Sequence, residues 1–137
     1  MILELLLLLF ILFLVTTSYQ KRNKLDELNE HAQKIIKKAG VMPIPDFSLY
    51  ETHDYPRTLN RKEIYLVLKD PDGKYYDDET LTGVLCHELA HVLSGAGDEH
   101  GKEFEEWETN LLDTATDLGF YSANGIDGEY PCFHDAD

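Results

Sequence analysis

The residues best suited to chemistry lie in one short run, Cys86-His87-Glu88-Leu89-Ala90-His91, which contains the pattern H-E-x-x-H. On a helix, residues four apart share a face, so His87 and His91 can present both imidazoles to one metal ion. His100 follows nine residues after His91 and can complete a set of three ligands. Glu88 lies beside the ligands, where its carboxylate can act as a general base on a water molecule at the metal. The pattern therefore predicts a zinc (Zn2+) site with His87, His91 and His100 as ligands and Glu88 as the catalytic residue.

The sequence around the motif is typical of two helices joined by a glycine turn. Asp77 and Asp78 are candidate N-caps for the first helix, and Gly95 begins a stop signal after it. Asp98 is a candidate N-cap for a second helix over about residues 99–118. We therefore expect His100 in the first turn of the second helix, where the glycine turn brings it back to the metal.

Other assignments of the metal site remain open at this point. Four further side chains compete with His100 as the third ligand: Glu103, Glu106, His53 and His134. A purely structural site would need a fourth protein ligand, for which His134 and Cys132 are candidates. The intact Glu88 argues against a site that binds zinc but cleaves nothing, because such a site needs no base there.

The motif and its surroundings resemble a known family. The segment His87-Glu88-Leu89-Ala90-His91, followed by His100-Gly101-Lys102-Glu103-Phe104, resembles the active-site segment of the SprT-like and WLM-type zinc metallopeptidases. The resemblance extends over residues 45–121. It implies a small zincin-like domain in which the three histidines bind zinc and the glutamate is the general base. The metzincin pattern is a poorer match, because Ser94 stands where it requires a glycine and Gly97 where it requires a histidine.

The remaining pattern predicts an α+β domain with a short, mostly antiparallel sheet. Apolar residues at helical spacing predict an amphipathic helix over Lys24–Ala39. Strands are predicted within Phe47–Thr52 and Arg57–Lys69, and a turn over Asp70–Gly73. The family resemblance further implies that a substrate peptide adds to a strand beside the active-site helix, and the Ile64–Leu68 region is our candidate for that edge.

The N-terminus carries a second strong pattern, an unbroken apolar run from Leu5 to Val15. This run predicts a transmembrane helix over residues 1–18. Because no basic residue precedes the run and no typical cleavage site follows it, we expect an uncleaved anchor rather than a signal peptide. The predicted organisation is an anchor over residues 1–18, a juxtamembrane amphipathic helix and connector over 19–44, and a zinc metallopeptidase-like domain over 45–137.

The residues that flank the apolar run predict how the chain is oriented. Lys21, Arg22 and Lys24 follow the run, and the positive-inside rule then predicts a single-pass membrane protein with residues 21–137 in the cytoplasm or in a virion interior. In that compartment Cys86 is expected to be a free thiol in the core. A lumenal domain would instead make a Cys86–Cys132 disulfide credible.

The charge of the chain is unevenly distributed. Residues 21–69 contain 10 Lys and Arg against 7 Asp and Glu, whereas residues 70–137 contain 2 against 18. A net charge of −16 in the half that carries the motif repels a phosphate backbone. This imbalance argues against direct binding of nucleic acid.

Together these patterns predict a membrane-anchored zinc endopeptidase that acts on a protein or peptide substrate. The alternative is a catalytically silent, zinc-containing adaptor domain tethered to a membrane. Two kinds of supporting residue are expected as well. Candidate donors to the transition-state oxyanion are Tyr121, Tyr130, His134 or a tyrosine in one of the strands. Candidate acceptors for the outer N–H groups of the histidines are Asp113 and Asp117.

Overall fold

The computed structural model describes residues 1–95, 100–122 and 128–131, except for the side chains of residues 18–23. In chain order, its elements are α1 (Ile2–Ala39), β1 (Ser48–Glu51), β2 (Arg57–Leu59), β3 (Glu63–Leu66), α2 (Asp78–Leu93) and α3 (Lys102–Asp117). The α+β class is as predicted. Helices α1 and α2 pack against the small sheet, and α3 packs against α1 and α2.

The sheet is mixed rather than mostly antiparallel. Strand β3 lies in the middle, with β1 parallel to it on one side and β2 antiparallel on the other. The predicted substrate edge at Ile64–Leu68 is therefore wrong, because hydrogen bonds to both neighbours occupy the central strand. Strand β2 lies at one edge of the described sheet.

The long predicted strand Arg57–Lys69 is divided by a tight turn. Asn60 and Arg61 have positive φ angles of 55° and 56°, and the amide of Lys62 donates to the carbonyl of Leu59 at 3.0 Å. Two successive positive φ angles are typical of a type I′ hairpin turn, which usually carries glycine at its second position. Because Arg61 stands at that position, the turn could not be recognised from the sequence.

The core forms where the second half of α1 meets α2, α3 and the sheet. From α1 it contains Leu28, Ala32, Ile35 and Ile36, each at most 2% exposed, and these residues have the helical spacing predicted for this segment. Helix α1 ends at Ala39, followed by Gly40 in the left-handed conformation (φ 71°) with its amide bonded to the last turn. The predicted helix end is confirmed.

The first half of α1 differs from the prediction. Helix α1 is continuous from Ile2, and its apolar side chains as far as Val15 project from the domain, each close to half exposed or more. Within the part of the chain that the structure describes, no helix combines the length and the apolar character that a membrane crossing requires.

The predicted transmembrane helix over residues 1–18 is therefore wrong. The unbroken apolar run Leu5–Val15 has 11 residues, which rise only about 16 Å, whereas the hydrocarbon core of a bilayer is about 30 Å thick. The predicted single-pass topology, with residues 21–137 in the cytoplasm or a virion interior, is wrong with it. The domain boundaries at residues 18 and 44 stay a prediction.

Helix α2 runs through the centre of the domain. The Asp77 carboxylate caps its start by accepting from the amide of Thr80 at 2.7 Å, as predicted. Every residue from Thr80 to Ala90 is buried, because α1, α3 and the sheet surround the helix. The hairpin is tied to its far end, where Arg61 donates to the carbonyl of Val92 at 3.2 Å. A buried, capped helix of this kind is a rigid support for the side chains of the motif.

Candidate metal centre

Two imidazoles of the candidate site come from α2. His87 and His91 lie one turn apart on the same face, with ring centroids 5.2 Å apart. This confirms that the H-E-x-x-H motif lies on a helix and that its two histidines share a face.

The third imidazole comes from the residue that precedes the N-cap of α3. Helix α3 begins at Lys102, with Gly101 as its N-cap, so His100 lies before the helix rather than in its first turn. His100 has φ 58°, a conformation that non-glycine residues rarely adopt and that tends to occur at functional sites. With this backbone its Nε2 lies 3.2 Å from Nε2 of His91. The predicted N-cap at Asp98 is wrong, because Gly101 caps α3, and residues 96–99 of the predicted glycine turn lie outside the described residues.

The three histidines form one compact cluster. The candidate ligand atoms of His87, His91 and His100 lie within 4.8 Å of one another. Over residues 1–95, 100–122 and 128–131, this is the one group of three potential ligands that could hold a metal ion. The competing ligands His53, Glu103 and Glu106 are exposed side chains, and His134 and Cys132 lie outside the described residues.

A buried phenylalanine supports all three rings. The Phe104 ring centroid lies 4.9 Å from that of His87, 4.5 Å from that of His91 and 4.7 Å from that of His100. Phe104 is only 2% exposed, in the first turn of α3. Its ring therefore limits how far any of the three imidazoles can move away from the others.

The outer nitrogen of His87 contacts a carboxylate of α3. Nδ1 of His87 lies 2.5 Å from Oε2 of Glu108. When Nδ1–H donates to this carboxylate, the lone pair of Nε2 is available for a metal ion. Glu108 thus has the position that we had predicted for Asp113 or Asp117, which lie instead at exposed positions lining a groove on the outer face of α3.

The sequence contains a signal that could have identified Glu108. Phe104, Leu111 and Ala115 form the buried stripe of α3, and Glu108 falls four residues after Phe104 on the same stripe. A carboxylate on the apolar face of a helix needs a polar partner, and His87 is that partner.

The carboxylate of Glu88 is held by strand β2. Glu88 is fully buried, and Oγ1 of Thr58 lies 2.8 Å from its Oε1 and 3.2 Å from its backbone carbonyl. A hydroxyl has one hydrogen, so Thr58 donates mainly to the nearer Oε1. This contact spans 30 positions of the sequence, and no local pattern announces it.

The thiol of Cys86 and the phenols of Tyr121 and Tyr130 are wholly or partly buried. Cys86 is a buried free thiol, as predicted, and burial together with the nearby Glu108 raises its pKa to about 12. Burial also raises the pKa of Tyr130, whose hydroxyl accepts from the amide of Val67 at 3.2 Å. Burial raises the pKa of the half-buried Tyr121 as well. These groups are therefore neutral at physiological pH, and both phenols keep an O–H that can donate.

Comparisons with known proteins give relatives for part of the chain. No family model matches it. The chain is 44% identical over 69 residues to the uncharacterized protein 136R of Invertebrate iridescent virus 6, covering 47% of this chain and 37% of the relative. It is 45% identical over 65 residues to the uncharacterized protein 042R of Invertebrate iridescent virus 3, covering 47% and 40%. The matched region thus spans well under two thirds of these curated relatives.

Solved structures with a similar fold come from yeast. The chain aligns with the crystal structure of Wss1 from Saccharomyces cerevisiae at a TM-score of 0.52 and 21% identity, covering 72% of this chain and 84% of that one. A Wss1 mutant aligns at a TM-score of 0.51 and 19% identity, covering 74% and 86%. At this identity the likeness concerns the fold, and it does not extend to the SprT-like group. The chain therefore has a Wss1-like α+β fold.

Proposed function

We propose that this protein is a zinc-dependent endopeptidase that hydrolyses peptide bonds in protein or peptide substrates. The observation that carries the proposal is the convergence of His87, His91 and His100, together with the buried carboxylate of Glu88, the residue that follows His87. The Wss1-like fold and the resemblance of the motif to WLM-type metallopeptidases support it independently.

The donor set fits zinc. Two nitrogens bound to one tetrahedral zinc, each at about 2.0–2.1 Å, lie about 3.3–3.4 Å apart. The separation of 3.2 Å between the Nε2 atoms of His91 and His100 is close to this value. Three protein ligands also leave a fourth position for water or substrate, as catalytic zinc sites require. When bound, zinc supplies Lewis acidity that polarises the scissile carbonyl and the attacking water.

Glu88 moves the proton in this mechanism. Its carboxylate accepts a proton as water attacks the scissile carbonyl and then delivers that proton to the leaving amine. Donation from the Thr58 hydroxyl to Oε1 orients the carboxylate of Glu88. General acid–base catalysis of this kind contributes about 100- to 10,000-fold to a rate.

Strand β2 is the proposed support for the substrate backbone. It lies at an edge of the sheet, and its Thr58 contacts the base directly, so a peptide paired with this edge would run beside Glu88. Pairing an extended peptide with a sheet edge uses backbone groups for affinity and alternate side chains for specificity. The net charge of −16 over residues 70–137 makes a protein substrate more favourable than direct contact with a nucleic acid.

The test compares the wild-type chain of residues 1–137 with Glu88→Gln, using zinc content and cleavage of casein, an unstructured protein. We expect about one zinc per chain in both proteins and at least a 100-fold loss of cleavage in the variant. Glu106→Gln, which alters an exposed glutamate of α3, is the matched control and should cleave like the wild type. Zinc binding by the wild type without cleavage of casein or of a peptide panel would refute the proposal and favour a silent zinc-containing adaptor.

A further inference from the structure

The beginning of α1 exposes apolar side chains on every side. Residues 2–15, which we call the projecting segment, are all apolar except Glu4, and each of their apolar side chains is between 47% and 79% exposed. Farther along the same helix, Leu28 and Ile35 are buried in the core of the domain. A helix that is apolar on all sides is normally covered by other protein or by lipid. The projecting segment therefore needs a partner.

The exposed area of the projecting segment is large enough for a stable interface. Its 13 apolar side chains, at about 60–120 Å² each, present on the order of 1,000 Å² of apolar surface. The largest apolar patch on a typical monomer is only about 300–600 Å². Each partner in a standard protein–protein interface buries about 800 Å². The segment thus exceeds what a monomer leaves exposed and matches what an oligomer buries.

Glu4 indicates which face of the projecting segment is turned towards the partner. It is the one charged residue among residues 1–20. Because an α-helix turns about 100° per residue, Leu8 lies on the same face as Glu4, whereas Leu6 lies on the opposite face. An apolar stripe with spacings of four, three and four residues follows that opposite face: Ile2, Leu6, Leu9 and Phe13. This is the spacing of the a and d positions of a coiled coil.

We propose that the projecting segment binds the same segment of further copies of this chain through the stripe opposite Glu4. Packing of the stripes buries leucine against leucine, and the Glu4 carboxylate of every copy stays in water. A bilayer matches the segment less well, because the unbroken apolar run Leu5–Val15 rises only about half the thickness of the hydrocarbon core. The partner is therefore another copy of this chain, and the contact is independent of the zinc site.

The test is the mass of the chain of residues 1–137 in detergent-free buffer, measured by sedimentation and by light scattering. We expect a discrete particle of two or more chains. Leu6→Glu should weaken the association at least tenfold, because it places a carboxylate without a partner inside the apolar stripe. Leu9→Glu should act in the same way and is the second variant of the stripe. Leu8→Glu, which adds the same charge on the face of Glu4, is the matched control and should keep the mass of the wild type.

Three results would overturn the proposal. The first is a wild type that is monomeric or forms polydisperse aggregates. The second is equal dissociation in Leu6→Glu and Leu8→Glu, because the stripe would then not be the contact. The third is co-sedimentation of wild-type monomers with phosphatidylcholine vesicles in place of self-association, which would make lipid the partner. Far-UV circular dichroism of each variant checks that the domain is folded.

Discussion

His87 and Glu88 are neighbours on α2, yet different parts of the molecule hold them. Glu108 of α3 contacts the outer nitrogen of His87, whereas Thr58 of β2 contacts the carboxylate of Glu88. Adjacent residues of a helix point about 100° apart, so each of the two side chains meets a different neighbouring element. If the proposed function holds, metal binding depends on the α3 contact and proton transfer on the β2 contact, so the two should respond to different substitutions.

The contacts that α3 and β2 make with the site also differ in number and kind. Helix α3 contributes a buried ring beneath all three imidazoles and a carboxylate against His87. Strand β2 contributes one hydroxyl from three residues at the sheet edge. We therefore expect the larger effects on the α3 side, with zinc affinity as the affected quantity, and smaller effects on the β2 side, with the catalytic rate affected instead.

The largest effect is expected from removal of a proposed ligand. His100→Ala should lower zinc affinity by about 1,000-fold or more, because two imidazoles remain and the Nε2 pair 3.2 Å apart is lost. Competition with a chromogenic chelator measures this affinity. His53→Ala, which removes an exposed histidine, should leave it unchanged. Normal zinc affinity in His100→Ala would show that another residue is the third ligand.

An intermediate loss of zinc affinity is expected when the contact between Glu108 and His87 is weakened. Glu108→Gln should lower zinc affinity by about 10- to 100-fold, because the amide no longer accepts the Nδ1 proton with full charge. Asp113→Asn, which neutralises an exposed carboxylate of the same helix, is the matched control. If both variants weaken zinc equally, the effect comes from general charge and not from the contact with His87.

The smallest effect is expected on the β2 side. Thr58→Val should lower kcat about tenfold while zinc affinity and KM stay the same, because the variant loses only the donor that orients Oε1 of Glu88. Thr58→Ser retains the hydroxyl and should restore most of the rate. Loss of zinc in Thr58→Val would contradict the separation of the two supports.

The sequence predicted the parts of the site that depend on local spacing. His87 and His91 share a helical face because they are four residues apart, and the cap at Asp77 and the end at Gly40 follow from local backbone chemistry. The sequence could not predict that Glu108 contacts His87 or that Thr58 contacts Glu88, because these contacts span 21 and 30 positions. Such contacts exist only after α3 and β2 have packed on α2.

The fold errors have physical causes too. The hairpin turn was missed because Arg61 adopts a positive φ angle that the sequence does not signal. The sheet was predicted as mostly antiparallel because strand order, which places β3 between a parallel and an antiparallel partner, is a tertiary property. The N-terminal prediction was wrong because the unbroken apolar run Leu5–Val15 is too short to cross a bilayer.

The central claim is an open three-histidine zinc site, and X-ray absorption spectroscopy at the zinc edge of the chain of residues 1–137 tests it most directly. Our account predicts one zinc per chain with three imidazole ligands, one further oxygen or nitrogen at about 2.0 Å, and no sulfur. A sulfur neighbour at about 2.3 Å, or a fourth imidazole, would indicate a closed structural site and contradict the account.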